Sequence, residues 1–107
     1  MRYITIRTSF IGYHRYKNAP QKVKYLRDWH RHNFNIEAYI EVVDANREIE
    51  FIIKKAEIDG WLAGKYHGAK FEKSCEMIAE DIAKKFNCFQ VTVSEDGENG
   101  GGYYKLI

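Results

Sequence analysis

The sequence has little of what marks a secreted, zinc-finger or membrane protein. Its 107 residues include two cysteines, Cys75 and Cys88, and one proline, Pro20. Two cysteines do not make a disulfide framework, and these two lack the C-x-x-C spacing of structural zinc sites. The N-terminal MRYITIRTSF has no apolar signal core, and no window approaches the length that spans a membrane. We therefore expect a cytoplasmic protein with reduced thiols and no membrane contact.

Charge is too evenly balanced to point to a polyanionic partner. The chain carries 17 basic and 15 acidic residues, a net charge of +2, which does not by itself indicate nucleic-acid binding. The sequence contains no internal repeat and no linker, and 107 residues is the length of one domain. We therefore expect a single domain over residues 1–107 and no nucleic-acid partner.

Two segments of the first half alternate apolar and polar residues with the period of a β-strand. Residues 2–13 and 34–42 both show this alternation, and each predicts a strand with one apolar face. Between them, residues 14–29 are polar and basic and predict a long loop, a type of segment that is often functional. Residues 44–47 suit a hairpin turn, and 48–53 alternates again, which predicts a returning strand.

The second half brings in helical periodicity. Ser74 is a good N-cap, and Ile78, Ile82 and Phe86 recur every four positions, so residues 75–86 predict an amphipathic helix. The other predicted elements are a short helix over 54–63, a loop over 64–73, strands over 88–95 and 103–107, and a turn over 96–102. This order predicts the α+β class, an antiparallel sheet with two helices on one face.

Histidine is scarce, with four in the chain, yet His30 and His32 stand two residues apart where the polar loop becomes the second strand. Side chains at this spacing share a face, so both imidazoles can reach one ion. His14 ends the first strand on its apolar face and meets the pair if the two strands are neighbours. Three histidines with an open fourth position are typical of a catalytic zinc site. The alternative is that they are loop-end histidines on a basic surface and bind nothing.

Five segments resemble, in order, those of the 6-pyruvoyl-tetrahydropterin synthase and 6-carboxytetrahydropterin synthase family. They are "SFIGYH", "HRHNFNIEAYIEV", "EIEF", "SCEMIAEDIAKKF" and "VTVSED". The family has an F-x-A-x-H strand, an H-G-H opening the next, a "DF" ending the third, a "PT-x-E" helix start and a V-x-V-x-E-T strand. The resemblance implies the T-fold (tunnelling fold) and Zn²⁺ held by His14, His30 and His32. It also implies a homo-oligomer, a hexamer or similar, built through open sheet edges, with ligand pockets between subunits.

The resemblance also implies roles for two glutamates. Glu95 ends the strand "QVTVSE", where the family glutamate anchors the pterin, and a carboxylate can accept two parallel N–H bonds from a pterin or guanine. Glu76 matches the glutamate of "PT-x-E". The alternatives are a solvated strand-end glutamate for Glu95 and a favourable first-turn charge for Glu76. We therefore expect a small-molecule ligand of pterin or purine type.

Two acid–base elements of the family are missing. Leu26 stands four residues before His30, where the family has a cysteine. The "L-D-H-x-x-L-N" segment is absent too, and Asp59 and His67, eight residues apart, are its nearest equivalents. His67 can still act as a proton shuttle oriented by Asp59; the alternative is a surface-loop histidine. Arg31 replaces the glycine between the paired histidines, and its charge favours an anionic group such as a triphosphate or carboxylate.

Three functions remain open at this point. The first is a zinc-dependent pterin synthase-like lyase acting on a dihydroneopterin-triphosphate-like substrate, in which zinc polarises a hydroxyl or carbonyl oxygen. The second is a non-catalytic T-fold protein that binds a pterin or purine nucleotide and has lost the acid–base residues. The third is a small α+β interaction module with incidental histidines. Bound zinc separates the third from the others, and turnover separates the first from the second.

Overall fold

The computed structural model describes residues 1–106 and contains a five-stranded sheet with two α-helices. Its elements in chain order are β1 (Arg2–His14), a 3₁₀ segment (Gln21–Arg27), β2 (His30–Val42), α1 (Phe51–Lys65), β3 (Lys70–Phe71), α2 (Cys75–Phe86), β4 (Gln90–Glu95) and β5 (Gly100–Tyr104). The strands lie in the order β3-β1-β2-β4-β5. Every pairing is antiparallel except that of the short β3 with the end of β1. The predicted α+β class is confirmed, with one parallel pairing at the sheet edge.

The hydrophobic core lies between one face of the sheet and both helices. On β2 every second residue from Phe34 to Val42 is buried, which is the alternation that the sequence predicts. Side chains from all layers form one cluster, in which Ile36 and Val93 of the sheet meet Ile58 of α1 and Ile78 of α2. Burial of each such side chain contributes about 1.5–3 kcal/mol to stability. The two helices are therefore fixed on the same face of the sheet.

The first two strands pair along their whole length, from Arg2 opposite Val42 to His14 opposite His30. The prediction that these two strands are neighbours in the sheet is confirmed. The connection between them is the predicted loop, and it contains the 3₁₀ segment Gln21–Arg27. Because the loop leaves and re-enters the sheet at the same end, His14, His30 and His32 come together there.

The prediction of a returning strand over 48–53 is wrong, because this segment leads into α1. The Glu50 carboxylate accepts the N–H of Ile52 at 2.6 Å and caps the helix, which begins at Phe51 rather than at Lys54. The first turn of the helix exposes three apolar side chains, Phe51, Ile52 and Ile53. These exposed apolar residues gave the segment the sequence pattern of a strand. α1 has 15 residues, and no helix within residues 1–106 is long and apolar enough to cross a membrane.

The Gly-rich segment also differs from its prediction as a turn, because β5 covers Gly100–Tyr104. A side chain at Gly100 would collide with the backbone of Val93 on β4, and one at Gly101 would collide with the Glu76 side chain. Glycine is rare in strands, so β-strand propensity alone did not predict a strand that begins with three glycines. Its consequence is that α2 and the Glu76 side chain lie close against β5. By contrast, α2 begins and ends where the sequence predicts, at Cys75 and Phe86.

Candidate metal centre and ligand cavity

The structure brings His14, His30 and His32 together at one end of the sheet. His14 lies directly across from His30 in the β1–β2 ladder, and His32 is the next residue on the same face of β2. The ring centroids are 4.5 Å apart for His14 and His30, 4.9 Å for His30 and His32, and 5.4 Å for His14 and His32. One ligating atom from each residue lies within 4.8 Å of the others. The three imidazoles are thus close enough to bind one ion.

A hydrogen bond at Nδ1 orients each imidazole. An oxygen that carries no hydrogen faces every Nδ1, so each Nδ1 must donate a proton. The acceptors are the Lys73 carbonyl for His14 at 3.2 Å, the Asp28 carbonyl for His30 at 2.9 Å and the Asp96 carboxylate for His32 at 2.7 Å. In the neutral form of each ring, this hydrogen bond leaves the lone pair on Nε2, which is the usual arrangement around a metal ion.

His14 provides the clearest sign that these donors fit a metal. It is 8% exposed, and burial lowers the pKa of its imidazole, so the ring is neutral near neutral pH. Its Nε2 is buried and has no hydrogen-bond partner within residues 1–106. A buried unsatisfied nitrogen costs about 1–3 kcal/mol. A zinc ion would satisfy this atom, and three neutral imidazoles are a ligand set that zinc accepts.

Glu95, the last residue of β4, reaches the same point. Its Oε2 lies 2.9 Å from Nε2 of His14, although off the direction of a hydrogen bond, and its Oε1 lies 3.6 Å from Nε2 of His32. The carboxylate therefore stands on the Nε2 side of the His14 and His32 rings. Its negative charge favours a cation there.

A cavity of about 640 Å³ opens beside the histidines, which is within the size range of small-molecule sites. It is lined by the ends of β1, β2 and β4, by the basic loop and by the start of α2. The lining includes His14, His30, Glu95, Glu76, Cys75, Lys73 and Leu26. Burial first, and then the charges of Glu95 and Glu76, raise the pKa of the Cys75 thiol to about 12. Cys75 is therefore a proton donor rather than a thiolate at neutral pH.

The comparisons with known proteins bear on this arrangement. No family model matches the chain, and no curated protein matches it. Among solved structures, 6-pyruvoyl tetrahydropterin synthase of Caenorhabditis elegans is similar, with a TM-score of 0.70 and 16% sequence identity over 99% of this chain and 98% of that chain. The chain has the fold of that synthase. The predicted T-fold is confirmed. A sequence identity of 16% supports the fold alone, so the ligand and the reaction must be argued from the residues of the site.

The structure does not bring Arg31 into the cavity. Arg31 lies between His30 and His32 on β2, and the alternation of the strand points it to the opposite, exposed face. Leu26, by contrast, lines the cavity and contributes an apolar side chain to its wall.

Asp59 and His67 lie together, but in a separate depression of about 260 Å³ between α1 and β1. Asp59 accepts hydrogen bonds from the Thr8 hydroxyl and from Lys55. His67 accepts the N–H of Ile11 at 3.2 Å through Nδ1. Neither residue lines the cavity of the three histidines, so within one chain they do not act on a ligand bound there.

Sequence reasoning missed the groups that orient the histidines. Asp96 is 64 residues from His32, and no local spacing connects the two. The carbonyls of Asp28 and Lys73 carry no sequence signal at all. Lys73 itself is held by an ion pair with Asp81, whose carboxylate also accepts the hydroxyl of buried Tyr66. Burial and this hydrogen bond raise the pKa of Tyr66 to about 12, so the phenol remains a donor.

Proposed function

We propose that this protein is a zinc-dependent lyase of the pterin synthase type, acting on a dihydroneopterin-triphosphate-like substrate. The observation that supports it best is the arrangement of His14, His30 and His32. Their Nδ1 atoms all face hydrogen-bond acceptors, and the rings of His14 and His30 border a cavity that can hold a bicyclic heterocycle.

His14, His30 and His32 would hold the zinc ion at the end of the sheet, where His14 and His30 line the cavity. An ion bound in this way acts as a Lewis acid that polarises a hydroxyl or carbonyl oxygen of the substrate. The protein contributes three rings that hydrogen bonds at Nδ1 already orient, so little reorganisation accompanies binding.

Glu95 and Glu76 are the proposed substrate-binding residues, because both carboxylates line the cavity. Glu95 is 33% exposed at its side chain and can accept N–H donors of a pterin or guanine. Glu76 packs over Gly101 and forms the wall beside it. A ligand bound to Glu95 lies next to the zinc position, since Glu95 is 2.9 Å from Nε2 of His14.

Proton transfer requires a group that can accept a proton. The Cys75 thiol, with its pKa raised to about 12, does not qualify at neutral pH. The remaining acceptors in the cavity are carboxylates, of which Glu95 is in contact with the imidazoles. His67 and Asp59 can contribute only if a neighbouring protomer brings their depression to the cavity.

A homo-oligomer supplies such a neighbour. β3 pairs only with Tyr13 and His14, so within residues 1–106 most of β1 has an open edge, and β5 forms the other edge of the sheet. Open edges of this length pair readily with another chain. We propose a homo-oligomer, a hexamer or similar, and light scattering that shows a dilution-stable monomer would contradict it.

A second function is a non-catalytic protein that binds a pterin or purine nucleotide at the same site. Leu26 favours it, because it places an apolar side chain on the cavity wall where a catalytic cysteine is missing. The separate depression of Asp59 and His67 favours it as well.

One experiment distinguishes the two functions. Untagged protein is expressed with added zinc and analysed for metal, and the zinc-loaded protein is then mixed with 7,8-dihydroneopterin triphosphate. Release of triphosphate with formation of a new pterin supports the lyase, provided that His30→Ala abolishes it. Calorimetric binding of the substrate without turnover supports the binding protein. A wild type without stoichiometric zinc contradicts the lyase, and a wild type that does not bind the substrate contradicts both functions.

A further inference from the structure

We propose that Asp96 is a positioning residue that fixes the imidazole of His32 for metal binding. The inference rests on the proposed zinc site, and it concerns a side chain at the position where the pterin synthase pattern V-x-V-x-E-T has threonine. Asp96 follows Glu95 directly and accepts the Nδ1 proton of His32 at 2.7 Å.

The Asp96 carboxylate is itself held in place. Its other oxygen accepts the backbone N–H of Asn33 at 2.9 Å, while the backbone N–H of Asp96 donates to the Asn33 carbonyl at 2.8 Å. Each carboxylate oxygen therefore has its own donor, one from the backbone of β2 and one from the ring. Because both of its oxygens are hydrogen-bonded, the Asp96 carboxylate is fixed, and it restrains the orientation of the His32 imidazole.

The backbone of Asp96 explains how two consecutive carboxylates reach one imidazole. In a continuing strand, Glu95 and Asp96 would point to opposite faces of the sheet. Asp96 instead has φ of 57°, in the left-handed region, which is uncommon for a residue other than glycine but tolerated by aspartate. The turn places Glu95 near Nε2 of His32 at 3.6 Å and Asp96 on its Nδ1.

His32 is the one ligand of the three whose support is a side chain. His14 and His30 are oriented by the carbonyls of Lys73 and Asp28, which no substitution removes directly. A carboxylate is also a stronger acceptor than a carbonyl, so it makes Nε2 of His32 a better donor to the metal. Loss of Asp96 therefore affects His32 and leaves the other two rings in place.

The test compares Asp96→Gly and Asp96→Asn with Glu98→Gln in the same turn. Glycine suits the positive φ but removes the acceptor, whereas asparagine leaves an amide donor facing either His32 or Asn33. We expect the zinc affinity, measured by competition with a chelator, to fall about 10–100-fold in both Asp96 variants. Glu98→Gln should bind zinc as the wild type does.

A second measurement separates positioning from a general effect on the turn. Nitrogen-15 NMR of the zinc-free protein reports which imidazole nitrogen carries the proton. The wild type should show all three rings protonated on Nδ1, and Asp96→Gly should shift only His32 toward the Nε2 form. Wild-type zinc affinity in Asp96→Gly, or reduced affinity with His32 unchanged, would overturn the role of Asp96 alone. A wild type that binds no zinc would overturn the proposed zinc site itself.

Discussion

Two clusters of ionisable side chains lie in different parts of this molecule, and they differ in how their polar atoms are used. At the end of the sheet, the Nδ1 atoms of three imidazoles face hydrogen-bond acceptors, and the Nε2 of His14 is buried without a hydrogen-bond partner among residues 1–106. In the depression beside α1, Asp59 accepts hydrogen bonds from Thr8 and Lys55, and His67 accepts one from the backbone of Ile11. The first cluster therefore contains a buried ring nitrogen, Nε2 of His14, that no hydrogen bond satisfies within residues 1–106, whereas the polar groups of the second cluster bond to their own chain. Residue type alone does not distinguish them, but the unused lone pairs do.

The largest effect should come from removing one member of the first cluster. His30→Ala or His32→Ala takes away one of three ligands, so the zinc affinity should fall by more than the roughly 10–100-fold that loss of a supporting residue causes. Zinc content after dialysis measures this. His67→Ala is the matched control, because it removes a histidine from the second cluster and should retain full zinc. If both His30→Ala and His32→Ala retained stoichiometric zinc, the claim that the first cluster is the zinc site would be contradicted.

Glu95→Gln should follow, with an effect on ligand binding. The substitution puts an amide donor where the ligand presents N–H donors, and the loss should be on the order of 2–4 kcal/mol of binding free energy. The variant should fold normally and keep its zinc. Calorimetry with neopterin, guanosine and adenosine compounds measures the change. Equal affinity for guanine and adenine compounds, or unchanged binding by Glu95→Gln, would remove Glu95 from the ligand site.

Acid should lower the free energy of unfolding of the zinc-free protein through protonation of His14. Burial lowers the pKa of folded His14 below its ordinary value of 6.5, so below about pH 6.5 the unfolded chain binds a proton that the folded chain resists. The stability of the zinc-free protein should therefore fall with pH from 6.5 down to the lowered pKa, and then level. Urea unfolding of the wild type and His14→Gln from pH 8 to 5 measures this. An identical pH dependence in the two proteins would contradict a buried neutral His14.

The smallest effect belongs to the second cluster. Asp59→Asn weakens hydrogen bonds to Thr8 and Lys55 and should cost about 0.5–1.5 kcal/mol of unfolding free energy with unchanged zinc. Thermal unfolding with metal analysis checks both quantities. If His67→Ala instead abolished turnover in a zinc-loaded oligomer, the depression would act on a neighbouring protomer's cavity, and the two clusters would form one site.

The sequence predicted those features whose signal is local. The Ser74 cap and the spacing of Ile78, Ile82 and Phe86 placed α2 at its observed bounds. The period of two put His14, His30 and His32 on one face, and the pairing of β1 with β2 brought them together. The alternation over residues 48–53 could not reveal that Glu50 caps a helix there. The support of His32 by Asp96 depends on a turn 64 residues away, which only tertiary structure shows.

X-ray absorption at the zinc edge of untagged wild-type protein tests the central claim most directly. The account predicts one zinc per chain with three imidazole nitrogens at about 2.0–2.1 Å and a further light ligand, an oxygen of water or substrate. A sulfur neighbour at about 2.3 Å would place zinc on a cysteine instead. That result, or fewer than three imidazoles, would contradict the three-histidine site.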